Sequence, residues 1–98
     1  MKPYHWNSIK NQQLVKERGV SFEEVLFCIE NGQLLDITGH HNRQKYKDQN
    51  MFVIQIKGYA YLVPFVETED AIFLKTIIPS RKATRKYLLK DEGEEKNA

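Results

Sequence analysis

The sequence predicts an α+β domain, with helices set apart from an antiparallel sheet. Three observations carry this. Two helix-period segments come first, closed by Gly19 and by Asn31-Gly32. From Leu34 to Ile78 the pattern is strand-like, and short polar connections favour a meander over parallel crossovers. A last helix-period segment follows Pro79-Ser80. At 98 residues the chain has room for one domain and one modest core. Residues 1–90 read as that single domain and residues 91–98 as a detachable acidic tail.

Taken in order, Tyr4 to Trp6 reads as a short first strand. Asn7 or Ser8 caps a helix running to about Arg18, with Ile9, Leu14 and Val15 as its apolar stripe. Ser21-Phe22-Glu23-Glu24 is a capping box, in which the Ser21 hydroxyl accepts a backbone N–H near Glu24 and Glu24 reaches back. Phe22, Val25, Leu26 and Ile29 follow the spacing of one buried helical face. Leu34 to Thr38, Met51 to Lys57, Tyr59 to Val66 and Ala71 to Ile78 read as strands, with a turn at Lys57-Gly58 and another over residues 67–70. Pro64 cannot donate a ladder hydrogen bond and marks an edge-facing side or a bulge. Ser80 caps a final helix over residues 81–90, with Ala83, Tyr87 and Leu88 as its apolar stripe. Phe22, Ile29, Phe52, Ile54 and Phe73 are the expected core.

Composition narrows the function. Hydrophobic residues at 41% and charged residues at 29% fit a globular domain and not a disordered chain. The apolar stretch from Tyr59 to Val66 is far short of the ~20 residues a membrane helix needs. The opening residues lack the apolar core of a signal peptide, so a cytoplasmic location is expected. Cys28, the single cysteine, rules out an internal disulfide and a thiolate metal cage, and its apolar helical setting points to packing. Net charge is only +2, yet the first 90 residues hold 14 basic and 9 acidic residues. Two windows contain no acid: residues 40–47, with His40, His41, Arg43, Lys45 and Lys47, and residues 81–90, with Arg81, Lys82, Arg85, Lys86 and Lys90. Clustered positive charge of this kind suits a polyanionic partner.

The phosphate-cradling glycine loop, Cys-x-x-Cys and His-Glu-x-x-His are all missing, and no cofactor is implied. The two basic windows instead hold the residue types for metal-free RNA cleavage. There the ribose 2′-OH attacks the adjacent phosphate, and the protein positions it, moves protons and stabilises the phosphorane. Histidine suits the proton transfers and arginine the bidentate phosphate contacts. His41, Arg43 and Arg81 are the catalytic candidates, and His40, Lys45, Lys47, Lys82 and Arg85 the RNA-binding ones. Neighbours in an extended segment point to opposite faces, so only one of His40 and His41 can enter a site, and His41 lies nearer the basic run. His5 reads as a strand or surface residue, Tyr46 as a base stacker or a cover for the sheet, and Tyr87 as core before catalysis. Asp36 is open between a buried acceptor and an acid/base partner.

Two segments resemble the BrnT family of type II toxin–antitoxin toxins, within the wider RelE/ParE group. One is Tyr4-His5-Trp6-Asn7 with Lys10-Asn11 and Gly19-Val20-Ser21-Phe22-Glu23-Glu24. The other is Ile77-Ile78-Pro79-Ser80-Arg81-Lys82-Ala83-Thr84-Arg85-Lys86. The resemblance covers about residues 4–89 and is carried by the order and separation of the two motifs. It implies a RelE-like fold: two N-terminal helices on an antiparallel meander, with a C-terminal helix. It also implies an RNA-cleaving, translation-inhibiting toxin, neutralised by a small antitoxin that carries a ribbon-helix-helix DNA-binding domain. Operator DNA would then be met only through the toxin–antitoxin complex. Arg81 is the residue whose surrounding motif matches, whereas residues 39–47 lack the acids that the family mixes with histidine and arginine. A ParE-like gyrase inhibitor and a non-catalytic nucleic-acid binder are the alternative readings.

Overall fold

The computed structural model describes residues 2–39 and 49–89. The elements run β1 (Tyr4–His5), α1 (Ser8–Arg18), α2 (Phe22–Glu30), β2 (Leu34–Gly39), β3 (Gln49–Ile56), β4 (Tyr59–Glu67), β5 (Ile72–Leu74), β6 (Ile78–Pro79) and α3 (Arg81–Leu88). This is a small α+β domain. The sheet order is β1-β5-β4-β3-β2, with β6 also paired to β4.

Local chemistry accounts for the helix ends. The Asn7 side chain accepts from Lys10 N at 2.9 Å, and Gly19 at φ 70° lets its own N–H reach Val15 O. The Ser21 hydroxyl accepts from Glu24 N at 3.1 Å, so the first half of the capping box forms. Glu24 does not close it. The acid in use is Glu23, which accepts from Asn11 Nδ2 at 2.8 Å, while Asn11 Oδ1 accepts from Phe22 N. Asn11 thereby locks the corner between α1 and α2. The expected stripe on α1 shrinks to Leu14, because Ile9 and Val15 are exposed.

The sheet departs from a simple meander in three ways. First, it is mixed: β1 pairs with β5 in parallel, Tyr4 beside Ile72 and His5 beside Phe73. Second, the expected strand from Ala71 to Ile78 is broken into β5 and β6, which pair with successive stretches of one side of β4. Third, Pro64 lies in an interior strand. Its carbonyl accepts from Lys75 N at 2.8 Å, so its missing N–H faces the same side, where β4 changes partner from β5 to β6. A gap in the ladder is where a proline does least damage. Across the two-residue turn from β3 to β4, Lys57 at φ 52° and Gly58 at φ 79° give the type I′ geometry of a tight hairpin.

Helices cover both faces. One face, packed under α1 and α2, holds the main core of Leu14, Phe22, Val25, Cys28, Phe52, Ile54, Val63, Phe65, Leu74 and Ile77. Phe52 and Phe65 stack there with ring centroids 4.0 Å apart. Burial pushes the Cys28 thiol above its usual pKa, in keeping with a packed side chain. The other face carries α3 over a smaller cluster of Val53, Ala60 and Ala83. Phe73 is a correction to the expected core: strand alternation turns it away from Ile72 and Leu74, and it is 39% exposed.

Candidate nucleic-acid interface

Helix α3 is held by its first turn. The Ser80 hydroxyl caps Ala83 N at 3.0 Å, and Ser80 N donates to Ala60 O at 3.0 Å. The buried Thr84 hydroxyl accepts from Ala60 N at 2.9 Å and donates to Ser80 O at 2.8 Å. Both backbone groups of Ala60, left over where β6 ends, are therefore met by α3. Farther along, the Tyr87 hydroxyl donates to Asp36 Oδ2 on β2 at 2.5 Å. The helix thus sits on β4 and reaches across β3 to the edge strand.

Between these attachments lies a groove of about 450 Å³. Met51, Val53 and Leu62 make its apolar floor. Thr38 and Gly39 form the β2 side, and Ser80, Lys82, Ala83, Lys86 and Tyr87 the α3 side. Lys82 and Lys86 are one helical turn apart and share a face, and among the described residues no acid lines the groove. Lys86 Nζ lies 5.2 Å from the centre of the Tyr87 ring.

The Asp36–Tyr87 pair sets the electrostatics at one end. The Tyr87 hydrogen bond, then the Ile37 backbone N–H and the Lys86 charge, hold the Asp36 carboxyl below its ordinary range. The hydrogen bond to Asp36, with burial and the carboxylate charge, pushes the Tyr87 phenol up to about 12. At neutral pH this phenol is a fixed donor and not a base.

Of the residues picked out from sequence, Lys82 lies in the groove. Arg81 opens α3, and both it and Arg85 are exposed and do not line the groove. His40, His41, Arg43, Lys45 and Lys47, with Tyr46, lie outside the described residues. In sequence they follow Gly39, which is itself part of the groove wall. His5 is exposed on β1. Lys86, the Asp36 link and the apolar floor were not singled out as a site. Only the spacing of Lys82 and Lys86 beside Ala83 and Tyr87 hinted at them; the floor comes from strands that no local pattern joins to α3. Among the described residues, no group of His, Cys, Asp and Glu could hold a metal ion, and no helix is long and apolar enough to cross a membrane. No family model, no curated protein and no solved structure matches this chain.

Proposed function

We propose that this protein is a metal-independent endoribonuclease toxin that takes RNA into the groove beside α3. The observation that carries the binding half is the groove itself, which no acid lines among the described residues. Lys82 and Lys86 line one wall, an apolar floor lies beneath, and the basic run of residues 40–47 follows in sequence directly after Gly39 of the opposite wall. Lysines supply phosphate attraction, and the floor supplies a surface for a base. The catalytic half rests on the sequence: His41 as acid or base, with Arg43 and Arg81 on the scissile phosphate. The ribose O2′ bonds to phosphorus and the P–O5′ bond breaks, leaving a 2′,3′-cyclic phosphate and a 5′-hydroxyl. The base takes the 2′-OH proton, and the leaving oxygen receives one. The resemblance of the two sequence motifs to BrnT-like toxins adds a small ribbon-helix-helix antitoxin as partner and the cytoplasm as location.

The test is purified protein with RNA in EDTA, reading the new 3′ ends. Cyclic phosphate ends that vanish in Arg81→Ala and His41→Ala are the expected result. Undiminished cleavage by both variants would overturn the catalytic assignment. A protein that binds no RNA at low salt would overturn the reading altogether. A second reading, non-catalytic binding, is favoured by the described groove residues: they offer two lysines and a tied phenol, which bind better than they move protons. It predicts steeply salt-dependent RNA binding with no new ends. Gyrase inhibition without RNA binding would instead favour the ParE-like reading.

A further inference from the structure

We propose that the sheet face beyond α3 carries a second subsite for the same RNA, in which Phe73 stacks an unpaired base between Lys75 and His5. This rests on the RNA reading of the groove and adds that the ligand is single-stranded and crosses the sheet. Strand β5 lies between β1 and β4, an interior position where an aromatic side chain is expected to be covered. Phe73 is nevertheless 39% exposed. Its neighbours in register are His5 on β1 and Val66 on β4, and Val66 in turn faces Gln49 on β3. By strand alternation this row shares its face with Leu62, Val53 and Met51, the groove floor. Met51 pairs with Pro64, two residues from Val66. Phe73 therefore lies about 12 Å from the groove's Met51, taking ~3.4 Å per residue along a strand and ~4.8 Å between strands.

The chemistry of the row selects a base over a protein partner. Phe73 is its one large exposed apolar side chain, with the polar His5 on one side and the half-buried Val66 and then the polar Gln49 on the other, too little apolar surface for a protein hot spot. Lys75 Nζ lies 5.1 Å from the ring centre, on an exposed side chain free to turn to a phosphate as a base takes its place. Glu67, the nearest carboxylate along β4, alternates to the opposite face and is paired with Lys2 at 2.6 Å. Glu69 and Asp70 lie in the turn beyond it. An aromatic ring on an open sheet with a lysine beside it is a sequence-tolerant stacking platform.

The experiment measures affinity of the full chain for 2′-O-methyl oligoribonucleotides, which cannot be cleaved, of about three and about ten nucleotides. Loss of one stacked base is expected to weaken the longer probe by roughly 5- to 100-fold in Phe73→Ala and to leave the shorter one unchanged. Phe73→Leu, which keeps the apolar contact but not the ring face, should match it, and Phe73→Tyr should restore affinity. Lys82→Ala should weaken both lengths. Wild-type affinity of Phe73→Leu for the longer probe, or equal weakening of both lengths by that variant, overturns the platform and leaves the groove reading standing. Failure of the wild type to bind either probe overturns both.

Discussion

Asp36 and Tyr87 show how one hydrogen bond reports on a site. Asp36 ionises at a lower pH folded than unfolded, and Tyr87 at a higher one. The carboxylate's contribution to stability is present above its unfolded value near ~4 and is lost as pH falls through the lower folded value. The phenol's contribution is full below its unfolded value of ~10. It fades as pH rises towards about 12, because the unfolded tyrosine ionises first. Tyr87→Phe should therefore melt at a lower temperature than the wild type across neutral pH. The difference should shrink at both extremes, as thermal unfolding across a pH series will read. An equal difference at every pH would mean that Tyr87 contributes packing alone.

At the scale of the element, α3 is attached by Thr84 as well as by its narrow apolar stripe. The Thr84 hydroxyl accepts from Ala60 N and donates a hydrogen bond to Ser80 O, so one side chain joins helix to strand. Thr84→Val keeps the shape and strands a buried N–H, a loss of about 1–3 kcal/mol. Denaturant unfolding should show it, and Thr84→Ser should recover most of it. Much of the Ser80–Thr84 motif is thus explained by attachment: Ser80 caps, Ala83 packs and Thr84 anchors. Lys82 is left facing the groove and Arg81 facing solvent.

For the whole molecule, stability and the candidate site occupy opposite faces of the sheet. The large core lies under α1 and α2, while the groove opens on the α3 side above a small cluster. Phe52→Ala, which removes a ring stacked on Phe65, should cost about 3–5 kcal/mol, a large share of the ~5–15 kcal/mol typical of a domain. Urea unfolding measures this directly. Lys82→Ala and Lys86→Ala, on exposed positions of α3, should leave the unfolding midpoint near that of the wild type. The two faces can therefore be varied separately.

The sequence by itself determined the helix ends, the hairpin and the α+β class, because these depend on neighbours a few residues apart. Asn7, Gly19, Ser21, Lys57-Gly58 and Ser80 each act through bonds or dihedral angles within their own turn. The capping box was legible only as far as Ser21, and the pairing of Asn11 with the neighbouring Glu23 was decided by tertiary contact. Phe73 looked like core because its type is apolar; only the sheet could show which way it faces. The parallel pairing of β1 with β5, the place of Pro64 and the split of the last strand were likewise decided by partners far along the chain. The groove belongs to the same class. Its walls come from residues 38–39 and 80–87 and its floor from β3 and β4, and no local pattern says that these meet. Charge could be counted in the sequence, but only tertiary packing decides which charges share a surface.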